Sequence, residues 1–210
     1  TIQSAIRALV ALTRARKVSV GRDCRISSPA IHKIVTDELI RLGVTVHDIG
    51  LVPVETIYYT SAYHDYDAAI MITASHNPSE YNGLKMMGKK GTWYRGADVL
   101  AAIQSGNLAE PKNGGSVVEV DHLTPYLDHV RSFIDTAALK PLKIVVDAGN
   151  GMAGKVIPLL TAGLPLHIIP LAFELDGNFP SHSPNPLTPG ALDALRDRIR
   201  QDVDLASPRG

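Results

Sequence analysis

Ser75, His76 and Lys85 are residue types that can carry, steady and neutralise a phosphoryl group. They fall within Thr73–Lys85, which reads TASHNPSEYNGLK. A serine hydroxyl can hold the group covalently. Pro78 has no N–H and pushes Asn77 towards an extended backbone, so the corner is stiff and Ser75 is held. Asn82-Gly83 is a turn signal that can fold Lys85 back towards the mouth where Ser75 sits. An ordinary strand-to-loop turn with a solvated lysine would have the same composition. Ser75 and His76 are neighbours, so they do not face each other as a hydrolase pair needs, and no G-x-S-x-G motif is present. A serine esterase is therefore not expected.

Three other stretches carry chemistry-bearing residues. Gly21–Arg25 places Arg22 and Arg25 on either side of Asp23. Charged hydrogen bonds from such a segment can brace a phosphate loop, although exposed charges in a turn are the plainer reading for Arg25. Gly149, Gly151 and Gly154 fit the dinucleotide spacing G-x-G-x-x-G, and Glu174 follows 20 residues after Gly154. A dinucleotide-binding module is thus an alternative. Asp147 weakens it, because a carboxylate before the first glycine opposes an incoming pyrophosphate. Glycines also serve tight turns without any ligand. His182, in the proline-rich stretch after Phe179, could touch a phosphate, with a solvent-facing loop position as the plainer reading.

The elements that must hold these residues read as alternating strands and helices. Ile2–Leu12 is an amphipathic helix, and Val18–Val20 a short strand. Ser28 serves as N-cap with Pro29 in the first turn of a helix that stops at Gly43. Val44–Ile49 is a strand ended by Gly50, Pro53–Tyr63 a helix, and Asp67–Thr73 the strand feeding the serine loop. Leu84–Met87 is a further strand and Ala97–Gln104 a helix. Glu110–Ser116, rich in Pro, Gly and Asn, is the expected domain boundary, giving domains 1–112 and 113–210. Then follow helix His122–Thr136, strand Leu142–Val146, a helix to Leu160, strand Leu166–Leu171, helix Leu187–Gln201 and the start of a strand at Val203–Ala206. The expected fold class is α/β: mixed, largely parallel sheets sandwiched by helices, with ligands at the carboxyl ends of the strands.

Composition bounds the function. Lys+Arg and Asp+Glu both number 21, so the formal charge is zero and no nucleic-acid partner is expected. Anionic substrates remain compatible, since the local field decides their binding. The single cysteine, Cys24, cannot form an intrachain disulfide and suits a reducing, cytoplasmic setting. No apolar run approaches the ~18 residues of a membrane span.

The order Thr73-Ala74-Ser75-His76-Asn77-Pro78, then Tyr81-Asn82-Gly83-Leu84-Lys85, resembles the active-site loop of the α-D-phosphohexomutases, the phosphomannomutase/phosphoglucomutase family. Gly21-Arg22-Asp23-Cys24-Arg25, Asp147-Ala148-Gly149-Asn150-Gly151 and Gly177-Asn178-Phe179-Pro180 with His182, Pro184 and Pro186 are similar to further segments of that family. The resemblance implies domain I and an incomplete domain II of such an enzyme. It implies that Ser75 is carried as a phosphoserine, with His76 and Lys85 acting on the transferring group. Arg22, Asp23, Arg25, Asn77 and Asn82 would support the loop. It further implies a hexose 1-phosphate/6-phosphate mutase, glucose or mannose left open, working through a hexose 1,6-bisphosphate. Mg2+ is expected, held partly through the phosphate on Ser75. The family's Asp-rich metal loop would follow Leu205-Ala206, where the sequence instead reads Ser207-Pro208-Arg209-Gly210. This chain alone is therefore expected to be inactive or nearly so, and a non-catalytic phosphosugar-binding remnant is a second alternative.

Overall fold

A computed structural model describes the backbone of residues 1–206 and the side chains of residues 1–202. The chain forms two compact units: residues 1–74 with 82–128, and residues 75–81 with 129–210. The serine loop itself, Ser75–Tyr81, thus groups with the later residues.

The first unit is built on a six-stranded sheet. Its strands are β1 (Lys17–Arg22), β2 (Thr45–Leu51), β3 (Ala68–Ile72), β4 (Leu84–Gly88), β5 (Trp93–Tyr94) and β6 (Ser116–Glu119). They lie in the order β5-β4-β3-β1-β2-β6. β3, β1, β2 and β6 run parallel, while β4 and β5 are antiparallel additions at one edge. Helices α1 (Ile2–Thr13), α2 (Ser28–Arg41) and α4 (Gly96–Gln104) contribute Ile6, Leu9, Val35, Leu39 and Val99 to one face, against Val18, Val20, Ile70 and Ile72. Helix α3 (Val54–Tyr63) covers the other face, where Ile57 packs with Ala69, Met71 and Met87. All five residues of β3 are buried, as a central strand covered on both faces requires.

Several expected boundaries move. The N-cap of α2 is Ser27, because the hydroxyl of Ser28 is turned to Asp23 instead. β2 continues through Gly50 to Leu51. The register against β1 shifts there, and the positive φ of Gly50 (+70°) lets the strand bend without ending. Glu110–Ser116 groups with the residues of the first compact unit. Its Lys112 amide donates to the Arg41 carbonyl, and it delivers β6 to the sheet beside β2. A Cβ on Gly115 would collide with the Ile40 carbonyl, so only glycine passes so close to α2. The two compact units divide within α5 (Leu123–Arg131), a helix shorter than the His122–Thr136 pattern suggested.

The second unit pairs β7 (Leu142–Asp147) with β8 (Leu166–Leu171) in parallel through α6 (Ala153–Thr161). The Arg131 guanidinium donates to the carbonyls of Leu159, Leu160 and Ala162, satisfying the open C-terminal end of α6. The last helix, α7, is Asp193–Ala206. It starts later than Leu187, after a run of turns, and it continues helically through Val203–Ala206, where a strand was expected. Asp202, bridged by Arg198 one turn back and by Lys143, favours continuation of the helix over a strand. The four residues in which the metal loop was expected to begin lie outside the described part.

Candidate active site

β3 ends at Ile72, and the chain turns out of the sheet through Thr73 and Ala74 to Ser75. Ser75 is exposed and has a φ of 56°, in the left-handed region that a serine rarely adopts. Such a conformation costs of order 1–3 kcal/mol and persists only where the surroundings impose it. His76, Asn77 and Pro78 are also exposed, and the Tyr81 amide donates to the Pro78 carbonyl to close the turn.

Both roots of the loop are tied within the first unit. The Thr73 amide donates to the Gly83 carbonyl at 3.0 Å, and the Gly83 amide donates to Asn82 Oδ1 at 2.8 Å. Asn82 Nδ2 donates to Ser27 Oγ (2.9 Å) and Ser28 Oγ (3.0 Å), joining the loop root to the start of α2. Ser28 Oγ in turn donates to Asp23 Oδ1 at 2.7 Å. Asp23 Oδ1 also accepts from the Arg25 amide, and Asp23 Oδ2 lies 3.3 Å from Arg25 Nε. The Asp23 amide donates to the Ile72 carbonyl, so the braced segment is itself hydrogen-bonded to the strand end. Arg25 is only 1% exposed, which corrects the reading of it as a solvated turn charge. A buried guanidinium demands a partner carboxylate, and Asp23 supplies it.

Arg22 is half-buried at the carboxyl end of β1. It lines an open groove of about 620 Å³ with Pro29, His32, Asp48, Glu119 and Asp121. Burial raises the Asp48 pKa, but hydrogen bonds from His32 and the Gly50 amide more than offset this and hold it below the ordinary carboxylate value. Three carboxylates against one arginine make this groove a poor anion site.

Lys85 stands in β4 opposite Met71. Its Nζ donates to Tyr58 Oη at 3.1 Å. The structure thus joins Asp23, Arg25 and Asn82 into one network around the loop roots, with Arg22 beside it and Lys85 held on the α3 face. Ser75, His76 and Asn77 belong to the exposed loop. Sequence reasoning missed Ser27, Ser28 and Tyr58. Ser27-Ser28-Pro29 read only as a helix start, and nothing in the sequence tied Tyr58 to Lys85. Among the described residues, no group of three or more His, Cys, Asp or Glu is arranged to hold a metal ion. The protein groups described here do not by themselves make the expected Mg2+ site, and no chemical step is derived through it.

The glycine turn of the second unit is filled by its own hydrogen bonds. Asp147 Oδ1 accepts from the Gly149 amide (2.9 Å) and lies 3.1 Å from His182 Nε2. Asn150, at φ 59°, has its amide on the Ala172 carbonyl and its Nδ2 on the Glu174 carbonyl, and it accepts from the Ser181 amide. A Cβ on Gly154 would overlap the Phe173 carbonyl. The turn residues are thus engaged in packing β7 against the Leu175–Pro186 loop, which weakens the dinucleotide reading. His182 is half-buried, not solvent-facing. Burial lowers its pKa, but hydrogen bonding to the Ser183 carbonyl and to Asp147, together with the charge of Asp147, outweighs this and leaves it raised.

Comparison with known proteins adds a family. Residues 1–107 match the model of phosphoglucomutase/phosphomannomutase, alpha/beta/alpha domain I, and residues 124–206 match that of domain II. The chain is 38% identical over 192 residues to the phosphomannomutase/phosphoglucomutase of Pseudomonas aeruginosa, covering 90% of this chain and 40% of that protein. It is 37% identical over 188 residues to a protein named for phosphohexose mutases from Xanthomonas campestris, covering 88% of this chain and 42% of that one. A solved structure of a phosphoglucomutase/phosphomannomutase family protein from Burkholderia thailandensis superposes with a TM-score of 0.84 at 32% identity, over 94% of this chain and 45% of that chain. The chain thus spans about two fifths of the length of these curated relatives.

Proposed function

The chain belongs to the phosphoglucomutase/phosphomannomutase family, and from that premise we propose that it carries the phosphoserine loop of a hexose-phosphate mutase. Ser75 is the phosphoryl carrier. In the forward half-reaction, a sugar hydroxyl attacks the phosphorus of phosphorylated Ser75. The new sugar O–P bond forms, the Ser75 O–P bond breaks, and the hydroxyl proton passes to a nearby base. In the return half-reaction, Ser75 Oγ attacks the other phosphoryl group of the hexose 1,6-bisphosphate: the Ser75 O–P bond re-forms, the sugar O–P bond at that position breaks, its oxygen takes the proton back from the base, and the isomeric monophosphate leaves. His76 serves as donor or base near the group, and Lys85 as the cation that neutralises its oxygens. Phosphoryl transfer depends chiefly on positioning and charge neutralisation, so a carrier fixed at both loop roots suits it. Glucose and mannose both fit this reading. Cytoplasmic localisation is part of the proposal; among the described residues no helix is long and apolar enough to cross a membrane.

One observation carries the reading: Ser75 is exposed in a left-handed conformation, between the braced residues Thr73 and Asn82. The test is incubation with glucose 1,6-bisphosphate followed by phosphosite mass spectrometry. Phosphate is expected on Ser75 and lost in Ser75→Ala. Stoichiometric phosphate on another residue, with Ser75 bare, overturns the proposal.

A further inference from the structure

We propose that Tyr58 is a positioning residue that sets the rotamer of Lys85, resting on the reading above in which Lys85 serves the phosphoryl group. Lysine has a long flexible stem, so an ammonium needed at one place must be held there by its surroundings. In β4 the side chains alternate. Leu84 and Met86 pack on the face covered by α1, α2 and α4, whereas Met87 packs with Ile57 on the α3 face. Lys85, by the same alternation, lies on the α3 face. There it meets Tyr58, one residue after Ile57 in α3.

The contact is a single hydrogen bond: Lys85 Nζ donates to Tyr58 Oη at 3.1 Å. Tyr58 is itself fixed. Its ring packs partly buried against the Ile49–Val52–Ile57–Met87 cluster. Trp93 of β5 also contacts it, with ring centres 5.3 Å apart and the rings tilted by 56°. Trp93 is placed by pairing with Met87, so β4 carries both the lysine and the strand that buttresses its holder.

The experiment reads Lys85 directly in the 210-residue chain. Trace acetylation with acetic anhydride, quantified by peptide mass spectrometry, gives the rate at each lysine. The exposed Lys33 and Lys90 serve as controls. A hydrogen-bonded, packed amine attacks slowly. Tyr58→Phe keeps the ring and removes the hydroxyl, so Lys85 is expected to label about fivefold faster, with Lys33 and Lys90 unchanged. An unchanged Lys85 rate overturns the inference. A rise shared by the control lysines, or a shifted urea midpoint, makes Tyr58 a merely structural residue and also overturns it. The phosphosugar reading is tested separately by adding glucose 1,6-bisphosphate to the wild-type chain. Protection of Lys85 supports that reading. Its absence, with the Tyr58→Phe effect intact, would remove the reading while leaving the holding contact established.

Discussion

Replacing Asp23 with alanine should destabilise the first unit by about 3–5 kcal/mol, the usual cost of removing one partner from a buried ion pair. The magnitude follows from what the carboxylate touches. Arg25 is 1% exposed, and its Nε lies 3.3 Å from Asp23 Oδ2. Asp23 Oδ1 accepts from the Arg25 amide at 3.1 Å and from Ser28 Oγ at 2.7 Å. The alanine variant removes all three interactions from around a guanidinium that is 1% exposed. Asp23→Asn keeps an oxygen for Ser28 and the Arg25 amide, and should cost roughly half as much. Trp93 is the single tryptophan and stands in β5, so its fluorescence reports the unit that contains Asp23. With a urea m-value of about 2 kcal/mol/M, the midpoint should fall by about 2 M in Asp23→Ala. A shift below about 0.5 M, with native circular dichroism, would show that Asp23 does not carry the buried charge and refute the reasoning.

Acid should weaken the same unit through His122. Its pKa is pushed down to about 4, first by burial, then by the positive charge of His64 and His47, against the pull of Asp121. Tyr66 Oη, 2.6 Å from His122 Nε2 and 2.9 Å from His47 Nδ1, holds the neutral cluster, and Lys17 lies over the Tyr66 ring. The unfolded chain, near the ordinary 6.5, takes up protons first. The contribution is therefore whole above pH 6.5 and declines towards pH 4, by up to ~3 kcal/mol. Urea midpoints at pH 7.5 and 5 should differ in the wild type and differ less in His122→Gln, since burial also lowers the pKa values of His47 and His64; equal midpoints in the wild type would refute this. In the second unit, Gly154→Ala would press a Cβ into the Phe173 carbonyl. Its cost is expected to exceed ~1 kcal/mol and to appear as faster amide exchange in β7 and β8, and unchanged exchange would refute the close approach.

Local chemistry fixed much of this protein before any coordinates. A short apolar run such as Ala68–Ile72, bounded by polar residues and turn signals, reads as a central strand, and the Ser-Pro and Leu-Gly signals around α2 mark its ends to within a residue. The order of residues in Thr73–Lys85 pointed to the family and to the loop that matters, because a short reactive loop is encoded by neighbours in sequence. What lies across space was not legible. The composition of Glu110–Ser116 is that of a linker, and nothing in it announces the sixth strand that it leads into beside β2. Arg25 looked solvated, since charge favours the surface until a carboxylate 3.3 Å away allows its burial. Val203–Ala206 looked like a strand because alternation says nothing of the ion pairs that hold α7 together. Tyr58 and Lys85 stand 27 residues apart, and only the folding of α3 over β4 brings a hydroxyl to that ammonium. Spacing along the chain records which side chains can share a loop or a face, whereas partners drawn from separate elements are set by how those elements pack.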